Sequence, residues 1–154
     1  MIDFREMPYE RPDVDAYRKA MEKAIDGMEK AEDYAAARKI FFEQQTLDDR
    51  IGTLFSLCSV RNTIDTNDAY YEGEMKWLRE QFAGLIPLQK RWNQALTGSP
   101  FRSDFDGEFG PQLLKIVDAD LLCSDERLIK DTIREGELRQ AYEKDRSEER
   151  RVGK

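Results

Sequence analysis

Histidine is absent from this chain, and its absence excludes more chemistry than any other feature of the composition. Zinc sites in proteins are built mainly from histidine and cysteine, and this sequence has only two cysteines, Cys58 and Cys123, which lie far apart. A serine or cysteine nucleophile would likewise have no histidine to serve as its general base. The sequence therefore predicts no catalytic residue and no metal ligand in this chain.

Long apolar runs are missing as well. No stretch approaches the roughly 20 apolar residues that a membrane-spanning helix needs. The N-terminal residues 1–13 lack the basic start and the apolar core of a secretion signal. Acidic residues outnumber basic ones by 32 to 25, and a net charge of −7 repels phosphate backbones and anionic membrane surfaces. We therefore expect a cytoplasmic protein that binds neither nucleic acid nor a membrane.

Two other features have simple interpretations. The two cysteines permit a disulfide, but each lies in apolar helical surroundings, so two buried free thiols are the simpler expectation. The acidic segment 104–108 partly resembles a calcium loop, but it lacks a third acid before its glycine and the glutamate that should follow. We interpret this segment as an ordinary acidic turn.

Apolar residues recur at three- and four-residue steps along most of the chain, which predicts amphipathic helices. Pro12, Asp13 and Asp15 mark the start of a first helix, and Asp33 is the expected N-cap of a second. The second helix runs without proline to Ile64, so its thirty or so residues would span roughly 45 Å. Because no alternating β pattern occurs, the predicted fold class is all-α.

A long third helix is predicted from Tyr71 to Leu96, where apolar residues follow a near-heptad spacing. Gly84 and Pro87 lie inside it, and we expect a kink there because proline removes a backbone hydrogen bond. Shorter helices follow, one of them carrying three phenylalanines and the last capped by Ser124 or Asp125. We expect an antiparallel bundle of about five or six helices with long second and third helices. The apolar residues assigned to the short helices are Phe101, Phe105, Phe109, Leu114, Val117, Leu121, Leu128, Ile129, Ile133 and Leu138.

Several separate stretches resemble one peptidase family. The strings MPYERPD at 7–13, SVRNTIDTND at 59–68, SPFR with FGPQL within 99–113, and IKDTIREGELRQAY at 129–142 carry the likeness in order and spacing. They are similar to the N-terminal region of the oligoendopeptidase F and Pz-peptidase branch of the thimet-oligopeptidase-like zinc peptidases. The sequence departs from the family's pattern where Asn62 replaces a histidine and Asp65 replaces an asparagine. These two departures put any family-specific hydrogen bond there in doubt.

The resemblance implies a parent enzyme that cleaves short peptides with one zinc ion. That zinc would be held by the two histidines of an H-E-x-x-H helix and a further glutamate, with the motif's own glutamate as general base. The family's fold is a larger helical ellipsoid around a deep channel, and residues 1–145 would form part of the channel wall. The expected partners are therefore the missing C-terminal catalytic domain and, in the parent, short peptides. Zinc is expected in the parent and not in this chain.

Arg61, Asn67, Asp68 and Tyr71 form the most distinctive polar group in the sequence. They would either line the channel or contact the catalytic domain. The simpler interpretation is that they cap two helices and tie them together.

The C-terminal string RSEERRVGK, residues 146–154, resembles the translation of a common sequencing adapter. We therefore expect a non-native tail and a chain cut where a sequencing read ended, whereas a solvated charged C-terminus is the plain alternative. Two functions stay open: an inactive N-terminal piece of a zinc oligoendopeptidase, or a freestanding acidic helical interaction module. An H-E-x-x-H further along the reading frame, or apolar faces left exposed, would favour the first. A genuine stop codon would favour the second.

Overall fold

The computed structural model of the protein describes residues 6–123 and 129–152. Within these ranges the chain forms seven helices and no strand, which confirms the predicted all-α class. The helices are α1 (Val14–Glu29), α2 (Tyr34–Ile64), α3 (Ala69–Ala83), α4 (Ile86–Thr97), α5 (Arg102–Phe109), α6 (Gln112–Cys123) and α7 (Ile129–Val152).

The first two helices begin where the capping residues predict. Asp13 accepts a hydrogen bond from the backbone N–H of Ala16 at 2.9 Å, and Asp33 accepts one from Ala36 at 2.8 Å. Each carboxylate satisfies a backbone donor that the first turn leaves free and places negative charge at the positive end of the helix dipole. The 31 residues of α2 span about 46 Å. This helix packs against α1 and α3, and α1 also packs against α4.

The predicted third helix is two helices, α3 and α4, rather than one kinked helix. The backbone N–H of Leu85 bonds to the carbonyl of Phe82 at 3.0 Å, so the end of α3 is tightened to a three-residue reach. Pro87 lies in the first turn of α4, where its missing N–H needs no partner. The break buries Leu85, which is 5% exposed, in the core between the helices. The helix count therefore exceeds the predicted five or six.

The main core lies among α1, α2, α4, α5 and α6. Phe105 of α5 is fully buried and makes ring contacts with Tyr34, Phe41 and Phe109 at centroid distances of 5.1, 5.5 and 6.2 Å. Trp92 is also buried there, as its place on the apolar stripe predicts. A second cluster of Cys58, Met75 and Leu78 joins α2 to α3.

Two expectations from the sequence are wrong, namely that both cysteines are buried and that the acidic segment 104–108 is a turn. Cys58 is buried, but Cys123 is exposed, because α6 ends there and its last turn faces solvent. Both thiols are free. The acidic segment 104–108 belongs to α5 and is not a turn, and α5 ends at Gly110, whose φ of +81° suits glycine.

The last helix, α7, packs against α3. The expected capping residues Ser124 and Asp125, together with Leu128, lie outside the described residues. Ile133 is half-buried against its neighbours, whereas Leu138 is 60% exposed.

Candidate functional site

Arg61 and Tyr71 meet where the end of α2 passes the start of α3. The Arg61 Nη1 donates to the Tyr71 hydroxyl at 2.8 Å, and its Nη2 donates to the carbonyl of Met7 at 2.5 Å. The guanidinium carbon also lies 5.7 Å from the centre of the Tyr71 ring. One side chain therefore ties α2 to α3 and to the N-terminal segment. This geometry is that of a structural tie.

The turn between these helices uses the other two predicted residues. Asp68 is the N-cap of α3 and accepts hydrogen bonds from the backbone N–H groups of Tyr70 at 2.9 Å and Tyr71 at 3.3 Å. Asn67 contributes its backbone N–H, which donates to a carboxylate oxygen of Asp65 at 3.1 Å, while its side chain is exposed. The structure thus brings Arg61, Asp68 and Tyr71 together and leaves the Asn67 side chain at the surface.

A buried carboxylate nearby was missed by the sequence analysis. Glu74 of α3 is 3% exposed, accepts a hydrogen bond from the Tyr9 hydroxyl at 2.8 Å, and forms an ion pair with Arg11. The Arg11 guanidinium also lies 4.6 Å from the centre of the Trp77 ring. The available signal was the position of Glu74 between Tyr71 and Leu78 on the apolar face of α3. A charge at such a position predicts a buried partner.

The electrostatics of this cluster favour a structural ion pair between the N-terminal segment and α3. Hydrogen bonding from Arg11 lowers the pKa of Glu74, so the carboxylate stays ionised at neutral pH. Burial, and then the hydrogen bond to Glu74, raise the pKa of Tyr9. Burial likewise raises the pKa of the adjacent Cys58, which keeps this thiol protonated and unreactive. The cluster holds the N-terminal segment on α3 and offers no activated nucleophile.

An open groove runs between α2, α3 and α7, with a volume of about 680 Å³. Its apolar lining includes Phe55, Met75 and Phe82. Polar side chains line it as well, among them Asn62 and Arg79, and charged groups of both signs lie along it, namely Glu72, Glu135, Arg139 and Lys144. This groove is larger than a second hollow beside Phe42, which has a volume of about 390 Å³.

The residues present do not fit a zinc site. The sequence has no histidine, and the described part of the chain contains no group of three or more histidine, cysteine, aspartate or glutamate side chains placed to hold a metal ion. Cys58 and Cys123 differ in burial and do not form a pair. No helix among the described residues is long and apolar enough to cross a membrane.

Known proteins resemble most of this chain. The Peptidase M3 N-terminal domain family matches residues 4–123. PZ peptidase A, solved with an inhibitor, superposes with a TM-score of 0.86 at 29% identity, covering 91% of this chain and 25% of its own. A protein assigned as an oligoendopeptidase F superposes with a TM-score of 0.87, also at 29% identity, covering 92% of this chain and 25% of its own.

A third structure, assigned as an oligoendopeptidase F from Bacillus anthracis str. Ames, superposes with a TM-score of 0.86 over 92% of this chain and 26% of its own. Its identity of 24% supports the fold alone. No curated protein matches this chain significantly. The chain spans about a quarter of the length of the solved relatives. The family match covers most of the chain and the fold agrees with it, so this chain belongs to the Peptidase M3 N-terminal domain family.

Proposed function

We propose that this chain is the N-terminal helical part of a zinc-dependent oligoendopeptidase. It would form scaffold or channel wall and would be inactive by itself. The observation that supports the proposal most directly is the family match over residues 4–123. Superposition on about a quarter of PZ peptidase A and of an oligoendopeptidase F agrees with it.

The composition of this chain indicates which parts of the enzyme it would supply and which the missing catalytic domain would supply. Catalytic zinc sites use histidine ligands, and this sequence has no histidine, so the metal and the general base would come from the missing catalytic domain. The contribution of this chain is positional. The long α2 and its ties to α3 through Arg61 and Glu74 give the rigid surface that a channel enclosing short peptides requires.

Comparing this chain with the protein encoded by the uninterrupted reading frame tests the proposal. We expect the longer protein to cleave a quenched-fluorescent peptide in a chelator-sensitive manner and to contain about one zinc ion per chain. The 154-residue chain should cleave nothing and should hold less than about 0.1 zinc ion per chain by elemental analysis. Peptide hydrolysis by the short chain, or a longer frame without an H-E-x-x-H helix, would refute the proposal.

A freestanding interaction module without catalysis is the second candidate. Its support is the closed main core, in which residues from five helices are buried without help from another chain. A stop codon soon after residue 145, with a monodisperse monomer that unfolds cooperatively, would favour this candidate.

A further inference from the structure

The groove between α2, α3 and α7 is lined by both apolar and polar side chains. Phe55 of α2 lies against Phe82 of α3, with ring centroids 5.2 Å apart, and Met75 of α3 is 3% exposed. Ile133 lines the groove from α7. A largely apolar groove of this volume is a typical binding surface for a segment of polypeptide.

A buried hydrogen-bond acceptor also lines the groove. Asn62 is 9% exposed, and its side-chain Oδ1 has no hydrogen-bond partner among the residues that the structure describes. Buried carbonyl oxygens are nearly always paired, because an unpaired one loses its hydrogen bond to water without replacement. The oxygen itself is closed to solvent, so it lies behind the surface of the groove, where an occupant would not reach it.

A partly buried cation lines the same groove. Arg79 donates from Nη1 to the neutral side-chain oxygen of Gln140 at 2.5 Å, and no carboxylate lies within ion-pairing distance of it in the described ranges. The positive charge of the neighbouring Arg139 repels that of Arg79, while Glu137 attracts Arg79 without forming an ion pair with it. Arginine binds carboxylates in a two-point geometry, so a carboxylate from an occupant is the complementary partner.

We infer that this groove is the docking site for a segment of the parent protein that lies beyond this chain. That segment carries apolar side chains for the groove and a carboxylate for Arg79. The inference rests on the proposed function. Its quantitative support is that about three quarters of each related chain lies outside the matched part, because coverage of those chains is 25%.

Thiol labelling tests whether the groove is covered. Thr63 lines the groove and is exposed, and its hydroxyl donates to the backbone carbonyl of Val60 at 2.7 Å. Thr53 on the same helix is exposed outside the groove and donates to the carbonyl of Asp49 at 2.7 Å, which makes it a matched control. Each is changed to cysteine in a Cys123→Ser background, in this chain and in the longer protein.

Docking predicts similar labelling rates for Thr63→Cys and Thr53→Cys in the short chain. In the longer protein the Thr63→Cys rate should fall at least about tenfold relative to Thr53→Cys, because covered thiols react only after local opening. Equal rates in the longer protein would overturn the inference. Slow, concentration-dependent labelling of Thr63→Cys in the short chain would also overturn it, since a second copy would then fill the groove.

The carboxylate contact has its own test. Arg79→Gln in the longer protein should raise the labelling rate of Thr63→Cys several-fold, while the exposed Arg91→Gln should leave it unchanged. Neither change should affect the rate in the short chain. An unchanged rate with Arg79→Gln would overturn the contact. Peptide cleavage and zinc content of the longer protein report separately on the proposed function.

Discussion

Glu74 shows how one side chain can join segments that are distant in sequence. Its carboxylate is nearly inaccessible to solvent, and Tyr9 and Arg11 reach it from 65 and 63 residues away. A buried carboxylate needs both charge compensation and hydrogen bonds, and these two residues supply them. The N-terminal segment therefore packs on α3 through its polar groups as well as through apolar contact.

Replacing Glu74 with Gln should lower the free energy of unfolding by about 1–2 kcal/mol at neutral pH, because a charge-assisted pair with a solvent-exposed arginine is lost. Arg11 lowers the folded-state pKa of Glu74 below its ordinary value of 4.5. The stabilisation is therefore complete above that pH and is lost as pH falls through the folded pKa. Urea unfolding of both proteins across the acid range measures this difference.

Glu43→Gln is the matched control for this experiment. Glu43 is 65% exposed and pairs with Lys39 at 3.8 Å on the same helix, so its loss should cost less than about 0.5 kcal/mol. If the two variants lost the same stability, or if the Glu74→Gln difference persisted at low pH, the account of the Glu74–Arg11 pair would be wrong.

The pKa of Asp48 is shifted in the opposite direction to that of Glu74. It accepts hydrogen bonds from Tyr17 at 2.6 Å and Gln44 at 2.7 Å, yet burial raises its pKa above the ordinary value of 3.8. The ionised form therefore opposes folding, and this penalty grows as pH rises from that value through the folded pKa. The cost of desolvation exceeds the benefit of two hydrogen bonds.

Asp48→Asn should therefore raise the free energy of unfolding by up to about 1 kcal/mol at neutral pH, since an amide oxygen still accepts from both neighbours. The gain should vanish below about pH 4, where the unfolded carboxyl is protonated as well. Unfolding in urea at both pH values checks this, with the exposed Asp49→Asn as control. A destabilised Asp48→Asn at neutral pH would contradict it.

At the scale of elements, burial and backbone chemistry together decide where helices stop. Apolar spacing continues through Gly84 and Pro87 without interruption, which is why one long helix was predicted. The chain instead ends α3 at Ala83 and begins α4 at Ile86. Proline favours a helix start over a helix interior, and the break moves Leu85 into the core. Spacing alone does not distinguish a kink from a break.

Phe105 anchors the short helix α5 in the core. Phe105 is 0% exposed and lies among Tyr34, Phe41 and Phe109. Phe105→Ala should cost about 3–5 kcal/mol, because the cavity it leaves is closed on all sides. Phe42→Ala, at a site 39% exposed, should cost less than about 1.5 kcal/mol. Urea midpoints compare the two, and a similar loss would show that the core is not closed at α5.

At the scale of the whole molecule, the described contacts of α7 lie before its last turns. Arg79 meets Gln140, and Lys144 lies 3.5 Å from Glu72. Residues 146–154 contain one apolar side chain, Val152, so deleting them should change the free energy of unfolding by less than about 0.5 kcal/mol, in keeping with a non-native tail. Truncation after Arg139 removes Gln140 and Lys144 and should cost about 1 kcal/mol or more. A large effect of the shorter deletion would argue that the tail belongs to the fold.

Periodicity and capping in the sequence determined the all-α class, the starts of α1 and α2, and the buried Phe105 and Trp92. The sequence motifs also indicated the family, since several of them occur in the family's order along the chain. These features are local or repeat at fixed spacing, so the linear sequence is enough to predict them. The N-cap Asp68 is local in the same sense.

Tertiary packing alone decided which distant groups meet. The pairing of Glu74 with Tyr9 and Arg11, the exposure of Cys123 and the groove with its unpaired Asn62 oxygen all depend on how helices approach one another in space. Apolar spacing defines the face of a helix that is buried. It does not specify the polar group that another segment brings to that face, because many arrangements bury the same apolar surface and only packing geometry selects one.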